Sequence, residues 1–168
     1  MATKILANKP IKFGQIAGPE EPVVQFECSA SIVFEDAGGK FVALDGSEQL
    51  VIAGSTTQEL IGWAIAGDFT GSSTAGRLLI SVNINTNALY LMPIATADAQ
   101  VARTEAQLKA LIGQVADLDI ISNVQYVDIG VSTHDVVQIV DYRYWGSAAG
   151  QQAVVVRMTS KEIGQTGV

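Results

Sequence analysis

Hydrophobic and polar positions alternate strictly over residues 24–34, with Val24, Phe26, Cys28, Ala30, Ile32 and Phe34 on one face and Gln25, Glu27, Ser29 and Ser31 on the other. A period of two is the pattern of a half-buried antiparallel strand. Asp36, Gly38 and Gly39 then supply residues that tolerate positive φ, and Phe41, Val42, Ala43 and Leu44 follow. The pattern predicts a β-hairpin of 24–34 with 41–44. Asp45, Gly46 and Ser47 mark a further turn before the apolar run 50–53, and residues 60–66 form another short apolar run around Trp63. Residues 67–76 are glycine-rich and poor in apolar side chains, which reads as a loop. Residues 77–84 and 88–92 are strand-like, and Asn85, Thr86 and Asn87 between them predict a second antiparallel hairpin, because asparagine enters the left-handed region readily.

The period changes over residues 98–112, an alanine-rich stretch without glycine or proline in which Val101, Leu108, Leu111 and Ile112 approximate one helical face. Thr104 and Gln107 have the spacing of a capping box and Gly113 is a natural stop, so one helix is expected here. Strand patterns return at 124–131, 136–145 and 153–158, separated by turn residues at 132–135 and 146–150. No repeat at a fixed period is visible. The expected fold is mainly β: a compact antiparallel barrel or sandwich of about eight to ten short strands with one short helix. Residues 1–22, with Pro10, Pro19 and Pro22 and few strand signals, are expected to form an extended N-terminal arm; residues 23–159 form a single β-rich domain, and residues 160–168 a C-terminal tail.

Composition narrows the function. Hydrophobic residues make up 48% of the 168 and charged residues only 16%, whereas soluble domains ordinarily carry about 25% charged side chains. So few ions suit a surface that docks on other proteins or on copies of itself. The net charge of −7 carries no basic stripe for a phosphate backbone, which excludes nucleic acid as the expected partner. The charge is uneven: Lys4, Lys9 and Lys12 precede the first acid, Glu20, leaving −10 on the rest of a chain whose total is −7. Ile5, Leu6, Ile11 and Phe13, with Pro10 limiting how the segment folds back, add apolar anchors to this basic arm. Cys28 is the single cysteine, so the fold is held by its core and not by disulfides. No apolar run has signal-peptide or membrane-span length, and synthesis in a host cytoplasm is expected.

Catalytic and metal-binding patterns are missing. One histidine, His134, and one cysteine cannot build a multi-histidine or thiolate zinc site. Ser72 and Ser73 lack the flanking glycines of a nucleophile elbow. The carboxylate pairs Asp117 with Asp119 and Asp128 with Asp141 are better explained as strand-edge and turn residues, and Asp36, Asp45 and Asp68 as turn formers. No catalytic residue, metal or cofactor is therefore expected. The aromatic cluster Tyr142, Tyr144 and Trp145, at a strand end beside a glycine-rich loop, is the expected interface feature of the body, because aromatics dominate interface energetics when exposed.

The acidic, Gly/Ala/Thr-rich β texture resembles the small accessory head proteins of tailed bacteriophages. Leu111, Ile112 and Gly113, Asp117 and Leu118, residues 123–129 and residues 136–141 are similar to the closing half of phage capsid decoration, or cement, proteins. The resemblance implies a homo-oligomer, a trimer first, that clamps capsomer junctions on the capsid exterior and has the major capsid protein as its partner. Such a protein needs a rigid body and arms, and repeated weak contacts add through multivalency. A tail or connector part, or a carbohydrate- or receptor-binding β module that uses Trp145 as a stacking platform, is the alternative.

Overall fold

The structure, a computed structural model, describes residues 14–18, 23–29, 32–34, 39–64, 69–70, 79–96 and 99–159. The expected interface residues Lys4, Ile5, Leu6, Lys9, Pro10, Ile11, Lys12 and Phe13 lie outside the described residues, as do Asp36, Asp68, Ser72, Ser73 and the tail 160–168. The chain is mainly β, with fourteen short strand segments and one helix among the described residues.

The first half carries β2 (Val23–Glu27), β3 (Val33–Phe34), β4 (Lys40–Leu44), β5 (Leu50–Ile52), β6 (Gly62–Ala64), β7 (Phe69–Thr70) and β8 (Leu79–Asn83). Five of these form a sheet in the order β2-β8-β6-β4-β5, all neighbours antiparallel. Cys28, just past β2, meets Leu50 of β5 in a parallel bridge, and the Ser29 N–H donates to the Leu50 carbonyl at 2.9 Å. The sheet thus returns on itself. β3 and β7 make a separate two-stranded ladder.

The second half carries β9 (Leu89–Thr96), β10 (Ala99–Gln100), α1 (Glu105–Ala110), β11 (Val115–Ile121), β12 (Val124–Asp128), β13 (Val137–Tyr144) and β14 (Gln152–Met158). Here β9 pairs β14, β14 pairs β13, β13 pairs β11 and β11 pairs β12, all antiparallel, and β12 returns to β9 in parallel through Val127 opposite Ile94 and Asp128 opposite Ala95. This is a closed ring. The strand ahead of everything else, β1 (Gly14–Ala17), adds to β9, so part of the stretch expected to be an arm is an ordinary sheet strand.

The two halves share one scheme. Counting the five ring strands of each half in chain order, the first pairs the fifth, the fifth the fourth, the fourth the second, the second the third, and the third meets the first in parallel. A single core joins them: Phe41, Ala43, Ala53 and Trp63 of the first half pack with Tyr90, Met92, Leu118, Val127, Ile139 and Val154 of the second. A second core, containing Cys28, Ile32, Phe34, Val42, Leu50 and Val82, lies within the first half. β4 is therefore buried on both faces, Phe41 and Ala43 toward one core and Val42 toward the other, as its uninterrupted apolar sequence allows.

Neither expected hairpin pairs as the local pattern predicts. The alternation over 24–34 is broken where the Ile32 N–H turns back to the Ser29 carbonyl at 3.1 Å, and both edges of β4 are taken by β5 and β6. The 85–87 turn does form, with the Asn87 N–H on Asn85 Oδ1 at 2.8 Å and the Asn85 N–H on Asn83 Oδ1 at 2.9 Å. It links the two halves, however, so β8 and β9 belong to different sheets. The glycine-rich stretch read as a loop contains β7. The helix is shorter than the 98–112 expected, because Ala99 and Gln100 pair with β9 and Thr104 takes the extended N-cap conformation. Its capping box, Thr104 with Gln107, is present in both directions, and Gly113 ends the segment at φ 89°.

Candidate functional site

The aromatic cluster sits at the end of β13. A register shift between Ile139 and Asp141 changes which side chains of β13 face inward, and burial falls away toward the strand end. Tyr142 packs against the shared core, and its hydroxyl donates to Glu105 Oε1 at 3.2 Å, so this ring ties β13 to α1. Tyr144 and Trp145 face outward, at 37% and 42% exposure. Of the three aromatics expected at an interface, two are presented to solvent and the third is part of the framework.

The platform is held firmly from behind. Trp145 N–H donates to the Gln151 carbonyl at 2.9 Å, and Gln151 N–H to the Ala148 carbonyl at 3.1 Å, which closes the 146–151 loop on itself. Gln152, only 1% exposed, sends its side-chain amide to the carbonyls of Gly146 and Ala148. Its Oε1 accepts from the Arg103 N–H at 3.4 Å. A buried amide that gives two bonds to one loop and takes a third from Arg103 fixes that loop's shape and ties it to the segment before α1. Sequence reading passed over Gln152, and its position at the start of an apolar run after a glycine-rich turn was the signal for it. Beside the platform, Arg143 and Asp141 form a solvent-exposed ion pair. The Arg143 guanidinium, then the Tyr142 N–H, hold the Asp141 carboxyl below its ordinary range.

The acidic residues have structural work. Asp117 is 2% exposed, and its carboxylate accepts the N–H groups of Thr133, His134 and Asp135 at 3.0, 2.9 and 2.7 Å, capping the loop between β12 and β13. Asp128, its register partner across β11 and β12, accepts from the Gly130 N–H at 2.9 Å, and Asp119 from the Ile120 N–H at 2.8 Å. Asp45 accepts from Ser47 and Gln49 and so builds the turn between β4 and β5. These carboxylates act as loop and turn acceptors. Burial pushes the Cys28 thiol up, away from the reactive thiolate. Among the described residues no group of three His, Cys, Asp or Glu side chains is placed to hold a metal ion. No helix among them is long and apolar enough to cross a membrane.

A shallow apolar depression of about 250 Å³ lies where the halves meet, between Val51 and Ile52 of β5 and Ile120 near the β11–β12 turn. Lys40 reaches across it, donating from Nζ to the Asn123 carbonyl at 2.6 Å. Other outward apolar positions are Ile16 of β1, Val23 and Val24 of β2 and Leu79 of β8, at 45, 43, 39 and 56% exposure, together with Leu44, Ile112, Val115 and Val131.

Comparison with protein-family models, with curated proteins and with solved structures finds no match to this chain.

Proposed function

We propose that this chain is a structural virion protein that binds the outer surface of a phage capsid and stabilises the junctions between capsomers. The observation that carries the reading is the Tyr144–Trp145 platform, two large rings left in solvent where β13 ends and enters a loop that Gln152 and the Trp145 and Gln151 backbone bonds hold in place. Exposed, pre-ordered aromatics are the usual anchors of protein interfaces, because they bury large area at little entropic cost. The low charged fraction and the resemblance of residues 111–141 to the closing half of capsid cement proteins support the same reading. The major capsid protein is the proposed partner, with a homotrimer as the proposed state on the particle.

The test is co-sedimentation with purified phage heads that lack the protein, followed by cryo-electron microscopy. Density at capsomer junctions, and binding weakened about tenfold or more by Trp145→Ala with an unchanged melting temperature, is the expected result. Density on tails alone, or equal binding by the variant, overturns it. Exposure of Trp145 beside Arg143 also favours a second reading, a carbohydrate-binding module, for which a glycan array gives the answer.

A further inference from the structure

The two halves of the chain are built on one scheme but are not equally complete. In the second half, β9 pairs the fifth ring strand, β14, along one edge, and β1 along the other: Tyr90 and Leu91 each face a residue of β14 and a residue of β1. In the first half, β2 pairs its own fifth strand, β8, from Val23 to Glu27. On the edge away from β8, however, no strand lies against residues 23–25 among the described residues; contact resumes at Cys28, where the parallel bridge to Leu50 begins. The place that β1 fills on β9 is open on β2.

That open edge has an unusual surface. Val23 and Val24 are successive residues, so their side chains point to opposite faces, yet both are about two-fifths exposed. Gln25, next to them, is exposed as well. Such an apolar, unprotected edge is a template for an incoming strand. A strand that pairs here and covers both valines must itself carry two successive apolar residues.

We infer that the edge of β2 accepts residues 3–7 of a second copy of this chain, as β1 is accepted on β9. Residues 3–7 read Thr3, Lys4, Ile5, Leu6, Ala7, with no proline to interrupt a ladder, and Ile5 and Leu6 are the required successive apolar pair. Charge selects the same place. The segment 1–13 carries three lysines and no acid, whereas residues 23–83 hold seven acids against two bases and residues 89–158 seven acids against four. A cationic strand is drawn more strongly to the first half. Val23 and Val24 are left exposed on this edge, and the inference assigns the strand that covers them to another copy. Six residues, 8–13, separate it from the start of β1 and span about 20 Å when extended, which is enough to cross to a neighbour. The edge serves self-association whatever larger particle the protein joins.

The test is oxidative cross-linking of two full-length proteins, one carrying Ile5→Cys and the other, with a distinguishing affinity tag, carrying Val24→Cys. Val24 is exposed, and circular dichroism checks that each variant keeps its β spectrum; unsubstituted protein controls for Cys28. A covalent dimer containing one chain of each kind is the expected product. Repeating the reaction with Leu6→Cys allows for the neighbouring register. A third protein carries both cysteines in one chain: if cross-links arise only within that chain and none between chains, the segment folds back on its own edge and the inference is overturned. If no cross-link arises with either cysteine partner, β2 takes no such strand and the inference is equally overturned. As an independent measure, sedimentation of Val24→Lys should show self-association weakened about tenfold or more, from lost apolar contact and repulsion of Lys4; unchanged self-association counts against it.

Discussion

The side-chain amide of Gln125 completes the backbone of Phe41. Gln125 Oε1 accepts the Phe41 N–H at 2.8 Å, and its Nε2 donates to the Phe41 carbonyl at 3.0 Å and to the Ala53 carbonyl at 2.7 Å. One buried amide from β12 thus stands in for a strand neighbour on the first half of the chain. It is the polar counterpart of the shared apolar core, and it fixes the register of one half against the other.

Replacing Gln125 by leucine keeps the volume and removes all three bonds. The Phe41 carbonyl retains the Ala53 N–H at 3.0 Å, but the Phe41 N–H and the Ala53 carbonyl lose this partner. At about 1–3 kcal/mol for each orphaned group, the expected loss is about 2–6 kcal/mol. For a chain of this size about 1 kcal/mol moves the melting temperature by roughly 2–4 °C, so a fall of roughly 4–24 °C is expected in calorimetry. An unchanged melting temperature would show that the amide does not join the halves.

Tyr90 behaves in the opposite way. It is fully buried, stacked on Trp63 at 4.7 Å and edge-on to Phe41 at 4.8 Å, and among the described residues its hydroxyl has no hydrogen-bond partner. Tyr90→Phe keeps the ring contacts and removes an unsatisfied polar atom, so stability should be equal or higher by up to about 1–2 kcal/mol. Burial also pushes the phenol up from its ordinary 10.0. A raised native pKa means that the unfolded chain ionises first, so wild-type stability is complete below about pH 10 and declines above it. Denaturant titrations from pH 8 to 11 should show a weaker alkaline decline for Tyr90→Phe; parallel curves would contradict this.

Proline placement separates the two ends of α1. Ala106 lies in the first turn, where backbone N–H groups have no helical acceptor, whereas the Lys109 N–H lies in the hydrogen-bonded interior. Lys109→Pro should cost about 3 kcal/mol and Ala106→Pro much less. Urea unfolding of the two variants gives the comparison, and equal losses would place the helix start elsewhere.

The Asp141–Arg143 pair contributes little and only in one pH range. Its side chains are 48% and 45% exposed, so solvent screening limits it to less than about 1 kcal/mol. The Asp141 carboxyl is held below its ordinary 3.8, so the contribution is present above that value and disappears as pH falls through the lower native one. Asp141→Asn should leave the melting temperature at pH 7 within a few degrees of wild type and flatten the loss below pH 4. A large effect at neutral pH would indicate a contact beyond the pair.

Short-range features were legible in the residues. The Thr104–Gln107 capping box, the Asp45 turn, the 85–87 turn and the strands of the last third all depend on the backbone within a few residues. β11 is legible too, in the alternation of Ala116 and Leu118 with Asp117 and Asp119, although two acids so spaced also read as a chemical pair. For the candidate site, a strand end beside a glycine-rich loop located Tyr144 and Trp145, while nothing local separated them from Tyr142, whose hydroxyl is held by Glu105.

By itself, then, the sequence determined the mainly β class, the helix that follows Thr104, the turns and the acidic, cysteine-poor composition, since these follow from side-chain chemistry and local backbone preference. Tertiary structure alone decided which strands pair. Alternation states that a strand has a buried face, but not which partner buries it. β4 is covered from both sides by residues up to 84 positions away, as the Phe41–Gln125 bonds record. The repeated ring was hidden for the same reason. One half turns between its second and third strands through residues 45–49 and the other through Ser122 and Asn123 alone, so equal topology leaves no equal spacing in the chain.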